Sequence, residues 1–434
     1  MRPTASLLRR LKVALHRRQR PARYALLEDL LATQALSPEA VLDKQRQDLR
    51  AMIDFARQHT IYYADRYAGL PAEPPLDALP ILTKQEVVDH LSELLARGHD
   101  PATTPLGHTG GSTGKPLAFY YNEAKHELMR AGMMRRYMMS GWRPGDKIIN
   151  FWGARQDTVS GGVFGGARWD EWIAAEQTIA AHTMSEDRLT QWATTIQRER
   201  PVLLQGYASI LACLARHVID RRLLMPDSLI GVYSTAEVLD EAQRQLIGQA
   251  FGCRVFNQYG SREIPNIACE CRHGRMHVFT DMVQLESLDG QLLITSLTNR
   301  LMPMIRYRNG DSGELLDERC DCGSPFPLMA MGVCRQNDLI VAPDGRRIHP
   351  AFFNRLLYGQ TQITQYQFVQ ETPTRISLRL VCPQPPATAL TDALREAIRR
   401  ELGAGVELAI EHVDEIERSL SGKHRFVICR YPPG

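Results

Sequence analysis

The sequence predicts a composite α/β fold: a helical N-terminal part, a doubly wound sheet with an added β segment, and a small α+β C-terminal domain. Three observations predict it. Strand-like runs alternate with helix-length segments through the middle of the chain, helices disappear between about Val278 and Tyr307, and the pattern restarts beyond Cys334.

At the N-terminus, Arg2, Arg9, Arg10, Lys12, Arg17, Arg18, Arg20 and Arg23 precede the first acidic residue, Glu28, with Leu7, Leu8, Leu11, Val13 and Leu15 interleaved. Such a basic amphipathic segment fits a weak contact with an anionic membrane surface, a transit peptide, or a solvated helix frayed at its end. Its apolar centre is too short for a secretory signal. Ser37 and Pro38 supply a helix cap and first-turn residue, after which Leu42, Leu49, Ile53 and Ala56 recur at helical spacing. The chain up to about residue 100 therefore reads as mostly helical.

Strand-like runs follow at Lys147–Trp152, Val202–Gln205, Leu229–Tyr233 and Arg254–Asn257, separated by helix-length segments such as Asn122–Met139 and Glu237–Phe251. Short β runs such as Gln291–Leu297 predict an added antiparallel sheet. Beyond Cys334 come Leu339–Val341, a Pro343-Asp344-Gly345 turn, a helix entered at Pro350, strands near Gln367–Val369 and Ile376–Val381, and a helix near Asp392–Glu401. Pro383–Pro386 reads as a surface loop.

A chain of 434 residues, 44% apolar and 23% charged, has the composition of a soluble globular protein of two or three domains. A net charge of +3 gives no footing for nucleic-acid binding, and no apolar run approaches the roughly 20 residues needed to cross a membrane. A cytoplasmic enzyme is expected.

The stretch HTGGSTGKP, His108 to Pro116, can wrap its backbone around a phosphate chain, because glycine lets main-chain N–H groups approach phosphate oxygens closely. It is neither a Walker A loop nor a dinucleotide fingerprint: Thr109 stands where both need glycine, and Pro116 where Walker A needs Ser or Thr. Downstream, in order, stand TAE at Thr235–Glu237, QYGSRE at Gln258–Glu263, RYRNGD at Arg306–Asp311, CRQND at Cys334–Asp338 and SGKHR at Ser421–Arg425.

That succession resembles the adenylate-forming superfamily of acyl-CoA synthetases and related ligases. The nearest branch is that of phenylacetate-CoA ligases and their capsular-polysaccharide-cluster relatives, and the resemblance runs from about residue 25 to the end. It implies an adenylate-forming core over residues 1–333, a hinge over 334–338 and a mobile C-terminal domain over 339–434.

The resemblance also implies residue roles. Thr109, Ser112, Thr113 and Lys115 would hold the β- and γ-phosphates of ATP, with Gly110, Gly111 and Gly114 allowing close approach. Glu263 would coordinate Mg²⁺, Tyr259 would lie near adenine, and Gly260, Thr235, Ala236 and Glu237 would belong to the same nucleotide site. Asp311 would accept both ribose hydroxyls, with Arg335 reaching the same region. Lys423 would bridge the substrate carboxylate and the α-phosphate. Asn337, where many relatives carry an acidic residue, and Asp338 would flank the pivot, and Gly345 would face an acceptor thiol. By their own spacing, Glu263 reads equally as a surface carboxylate beside Ile264–Pro265, and Asp311 as a turn cap beside Gly310 and Gly313.

Of the nine cysteines, four stand in C-x-C pairs: Cys269 with Cys271, and Cys320 with Cys322. With His273 and His277 nearby they can form a tetrahedral thiolate/imidazole zinc site. The resemblance favours Cys271, His277, Cys320 and Cys322, leaving Cys269 and His273 as alternates. Four protein ligands make such a zinc structural. The acid pocket falls by position on Phe151–Gly153, Gly206–Ser209 and Tyr233–Ala236, with Phe151, Trp152, Tyr207 and Tyr233 as its aromatic members.

The expected activity is ATP-dependent, AMP-forming activation of a carboxylic acid, aromatic by the character of that pocket, with transfer to coenzyme A. Transfer to a carrier-protein thiol or an amine in polysaccharide or secondary-metabolite synthesis is the alternative. A zinc-stabilised nucleotide-binding scaffold without catalysis is the reading from another class, opposed by Lys115, Glu263, Asp311 and Lys423.

Overall fold

The computed structural model describes residues 7–108, 117–153, 168–331, 339–348, 350–357, 360, 362–363, 365–416 and 426–431. They fall into two compact units, one holding the described residues of 1–108, 117–146 and 256–331, the other those of 147–255 and 339–431.

The first unit opens with helices Leu7–Gln19, Pro21–Gln34 and Pro38–His59. The basic first helix buries no residue, and Leu7, Leu8 and Leu11 are exposed. It is tied down by an ion pair from Arg9 to Asp146 at 2.9 Å. Ser37 caps the third helix as expected, its Oγ accepting from the Ala40 N–H at 3.2 Å. The buried stripe of that helix differs from the predicted one: Val41, Gln45, Met52, Ile53 and Ala56 face inward, while Leu42 is exposed and Leu49 half-buried. Gln45 fits this rotation: its Nε2 donates to the Val283 carbonyl at 3.0 Å, on a strand that stands at the sheet edge among the described residues.

Seven strands of this unit lie side by side in the order Val283–Leu288, Gln291–Ser296, Tyr307–Leu316, Leu328–Met331, Met276–Val278, Ala268–Glu270 and Arg254–Tyr259. Each is antiparallel to its neighbours, which realises the helix-free β segment read from the sequence. Against them packs helix Glu123–Met139, which buries Glu127, Arg135 and Arg136 along with apolar residues. Buried charge has to be paired. Arg23 donates to Glu127 through Nε at 2.9 Å and Nη2 at 2.8 Å, and Arg135, fully buried, holds Asp281 with both Nη groups.

In the second unit, Gly231–Thr235, Leu203–Tyr207, Ile148–Trp152 and Glu176–Ala180 lie parallel in that order, interleaved with helices Glu186–Glu199, Ala208–Asp220 and Glu241–Phe251. This is the α/β alternation predicted. A second core belongs to the C-terminal segment, where Phe353, Phe368, Leu378, Ile398 and Phe426 pack between helices Pro350–Leu356 and Thr388–Leu402 and the strands Glu407–His412, Arg375–Val381, Gln365–Thr372 and Val427–Cys429. Its hairpin, Ile340–Val341 with Arg347–Ile348, turns at Gly345 and also pairs with Thr183–Met184. Among the described residues no helix is long and apolar enough to cross a membrane.

Replacing Glu127 by Gln should destabilise the protein by about 3–5 kcal/mol, because Arg23 would remain buried without its counter-charge. Burial alone would push the Glu127 carboxyl up, but hydrogen bonds from His126 and Arg23 and the charges of Arg23 and Arg20 hold it down to about 2. A carboxyl depressed on folding stabilises above its ordinary value of 4.5 and loses that contribution as pH falls toward about 2. Chemical denaturation of wild type and Glu127→Gln between these pH values should show their stability gap shrinking as pH falls.

Candidate functional site

The QYGSRE motif lies in the first unit, where strand Arg254–Tyr259 ends and the chain turns through Gly260. The turn closes on itself, with the Ser261 N–H donating to the Ile264 carbonyl at 2.9 Å and the Ile264 N–H to Ser261 Oγ at 3.0 Å. Glu263 is buried at 5% exposure, which removes the surface-carboxylate reading. Its Oε1 accepts from the Tyr307 hydroxyl at 3.3 Å, whereas Oε2 accepts nothing from the described residues. A buried carboxylate with one open oxygen suits a cation.

Helix Glu123–Met139 holds this turn from behind. Lys125 Nζ donates to the Glu263 carbonyl at 2.9 Å, Arg136 to the Gln258 side chain, and Asn266 Nδ2 to the Met129 carbonyl at 3.0 Å. Burial pushes the Lys125 ammonium down to about 8, with the Glu263 charge acting in the opposite sense. Arg262 Nη1 reaches the carbonyl of His108, the residue that precedes the glycine-rich stretch, at 3.1 Å.

RYRNGD occupies strand Tyr307–Leu316 and is anchored by Arg306, whose Nη1 donates to the Asp77 and Leu79 carbonyls at 2.9 and 2.6 Å. Asp311 and Tyr259, assigned to one nucleotide site from separate motifs, meet directly: the Tyr259 hydroxyl donates to Asp311 Oδ2 at 3.1 Å. Asn309 Nδ2 donates to that same oxygen at 2.6 Å and to the Tyr259 hydroxyl at 2.8 Å. Asp311 is therefore oriented by a side-chain network rather than standing as a simple turn cap.

In the second unit the ladder places Tyr207 opposite Thr235 and Phe151 opposite Gly206, so the carboxyl ends of three parallel strands come together. Open parallel sheets bind ligands at such ends. Trp152 and Tyr207 meet edge to face at 5.1 Å, with Trp152 half-buried, whereas Phe151 and Tyr233 are fully buried, Phe151 packing on Trp192 at 5.4 Å. Ala236 has φ +65°, a strained value for a non-glycine residue, and Glu237 Oε2 accepts from the Ser209 N–H at 2.8 Å. The buried hydroxyls of Ser209 and Ser234 have no hydrogen-bond partner among the described residues.

Cys271, His277, Cys320 and Cys322 converge on one point of the first unit, their ligand atoms all within 4.8 Å of one another. Cys271 and Cys320 sulfurs are 3.7 Å apart, and Cys322 Sγ lies 3.2 Å from His277 Nε2. A tetrahedral site with metal–sulfur bonds of about 2.3 Å has sulfur–sulfur edges of roughly 3.8 Å. His277 Nδ1 lies 2.9 Å from the Phe326 carbonyl and donates to it, leaving Nε2 as the acceptor facing the sulfurs. Two turns closed by left-handed glycines, Gly274 at φ +76° and Gly323 at φ +80°, bring the sulfurs in. The His273 and Ser324 N–H groups donate to Cys271 and Cys322 Sγ at 3.3 and 3.4 Å. The alternates fall outside the cluster: His273 contributes its backbone, and Cys269 faces the Glu270 carbonyl, its thiol pushed up to about 12 by burial.

Thr109, Gly110, Gly111, Ser112, Thr113, Gly114, Lys115, Arg335, Asn337, Asp338 and Lys423 lie outside the described residues. Sequence reading did not single out Lys125, Arg136, Asn266 or Asn309. Charged residues on a helix read as its solvated face, and the signal available was the glycine at 132 among them. A Cβ there would stand 2.5 Å from Asn266 Nδ2. Gly132→Ala should therefore displace the Asn266 amide from Met129 and cost about 1–3 kcal/mol, measurable as a lowered midpoint of unfolding.

The chain is similar to known proteins along most of its length. The family described as CapK C-terminal domain matches residues 340–430. Protein CapK of Staphylococcus aureus is 23% identical over 81% of this chain and 80% of its own length. The phenylacetate-coenzyme A ligase of Thermus thermophilus is 24% identical over 91% of this chain and 98% of its own. Among solved structures, 2-hydroxyisobutyryl-CoA ligase, crystallised with its acyl adenylate and coenzyme A, shares the fold at a TM-score of 0.61, with 18% identity and 91% of each chain covered. Near full-length similarity and a shared fold thus point the same way: the chain is similar to CapK and to phenylacetate-CoA ligases, and its fold is that of the adenylate-forming CoA ligases.

Proposed function

We propose that the protein is an ATP-dependent, AMP-forming ligase that activates a carboxylic acid as its acyl adenylate and transfers the acyl group to coenzyme A. The observation that carries this reading is the buried Glu263 carboxylate, with an open oxygen, beside the Tyr259–Asn309–Asp311 network in the first unit. Near full-length relatives that are coenzyme A ligases support the reaction class.

Carboxylate and ATP are both anions, so the reaction needs cations and alignment. Glu263 would hold Mg²⁺, which neutralises phosphate charge when bound. Asp311, already oriented by Asn309 and Tyr259, would accept the ribose hydroxyls. Thr235, Ala236 and Glu237 would line the adenine side and Lys115 would meet the phosphates. Lys423 would supply charge where the carboxylate attacks, and Arg335 would reach the ribose. Trp152 and Tyr207 offer aromatic surface for the acid, with Phe151 and Tyr233 behind them, which favours an aromatic or compact acyl group. Residues 339–434 would pivot at Asn337 and Asp338 between half-reactions. The described cysteines form no disulfide among themselves, which suits a reducing, cytoplasmic compartment.

We also propose that Cys271, His277, Cys320 and Cys322 hold a structural Zn²⁺. Four protein ligands close the coordination sphere, so the metal would act by tying the loop after Cys320 to the strands on either side of His277. In small peptides such sites supply about 10–16 kcal/mol, comparable to the stability of a whole domain.

Exchange of labelled pyrophosphate into ATP should depend on an added carboxylic acid, and a panel of acids would identify the substrate. No exchange with any acid would reject the ligase reading. Lys423→Ala should lower adenylation by about 10²–10³, the loss expected for one transition-state donor, and affect thioester formation from supplied adenylate far less. Purified protein should carry close to one zinc per chain by elemental analysis. Cys320→Ser and Cys322→Ser should each lose it, and chelation should lower the unfolding midpoint.

A further inference from the structure

The first unit contains a cavity of about 640 Å³, a size typical of small-molecule sites. Of the residues given a nucleotide, acid-pocket or metal role above, Glu263 alone lines it. Its walls come from elements that carry none of the nucleotide motifs: helix Pro21–Gln34 through Ala25 and Leu26, the first turns of helix Glu123–Met139 through Leu128, and Pro265, Met282 and Leu301.

Two cations, Lys125 and Arg300, line these largely apolar walls. Lys125 Nζ makes a single hydrogen bond, to the Glu263 carbonyl, and lies 4.4 Å from the centre of the Phe119 ring. Its remaining N–H donors have no partner among the described residues. The other charged groups around the cavity cannot take that place. Glu127 is occupied by Arg23, the Arg300 guanidinium lies 5.3 Å from the centre of the Phe55 ring, and Asp29 and Glu123 are exposed acids. With Glu127 neutralised by Arg23, the carboxylates of Asp29, Glu123 and Glu263 disfavour polyanions such as nucleotide phosphates, while an apolar body with one carboxylate, seated at Lys125, satisfies both the walls and the lysine.

We propose that this cavity binds a compact monocarboxylate, its apolar body between helix Pro21–Gln34 and the Pro265–Met282 wall and its carboxylate on Lys125. Binding is independent of the adenylation chemistry. Because Lys125 and Ile264–Pro265 flank the Glu263 carbonyl, the ligand touches the same turn that carries the candidate Mg²⁺ ligand.

The test is photo-crosslinking of the full chain, without ATP, by a trifluoromethyl-diazirinyl benzoate, with labelled peptides mapped by mass spectrometry. Saturable labelling is expected in residues 21–34, 122–129 or 296–301, suppressed by excess hexanoate and not by hexanol. Lys125→Met should weaken it roughly tenfold or more, the loss expected for one charge-assisted contact, and Lys125→Arg should largely keep it. Ala25→Trp, on an exposed helix position, fills the cavity without removing the charge and should abolish labelling while circular dichroism stays unchanged. Labelling only of the strand-end peptides at 148–152 or 203–207, equal competition by hexanol, or undiminished labelling in a folded Lys125→Met or Ala25→Trp protein would overturn the proposal.

Discussion

The first unit depends on the buried polar face of helix Glu123–Met139. Glu127, Arg135 and Arg136 sit where a helix ordinarily presents apolar residues, and each must find a partner inside the protein. Arg135 takes Asp281 and lies 4.3 Å from the Phe279 ring centre and 5.2 Å from that of Phe326. Glu127 takes Arg23 from the N-terminal helices, and Arg136 takes Gln258 from the strand that leads into the Glu263 turn. Paired charges of this kind add little net stability over well-packed apolar groups, but leaving one unpaired is costly, so they reject misregistered packing more than they strengthen the correct one.

That constraint reaches both chemical features of the unit. Toward the nucleotide motifs, the Gln258, Glu263 and Asn266 contacts fix the turn that presents the buried carboxylate. Toward the cysteines, Phe326 is shared: its ring meets Arg135, and its carbonyl accepts from His277 Nδ1, which sets the imidazole tautomer facing the sulfurs. The helix thus orients a carboxylate through one set of contacts and an imidazole through another.

The second unit uses a different principle. Parallel ladder hydrogen bonds bring the ends of Ile148–Trp152, Leu203–Tyr207 and Gly231–Thr235 together, and side chains there inherit their places from the backbone. Asn150 ties three of the strands through Glu176, Thr178 and Gln205. Among the described residues the buried hydroxyls of Ser209 and Ser234 have no partner, and Ala236 keeps a strained backbone, local departures of the sort found where a ligand is to be received.

The sequence by itself determined the α/β alternation, the helix-free β segment, the separate C-terminal core and the motif order, because these rest on periodicity and on residues close together in the chain. Through resemblance it also named the four residues, Cys271, His277, Cys320 and Cys322, that the structure brings together. Only the tertiary structure decided which face of Pro38–His59 turns inward, that Glu263 is buried, that Tyr259 bonds Asp311 directly with Asn309 bonding both, and that Lys125 stands at a largely apolar cavity. Each of those depends on a partner between 44 and 238 residues away or on a wall built from several elements, and a buried charge reads in sequence like a solvated one until its distant partner is in place.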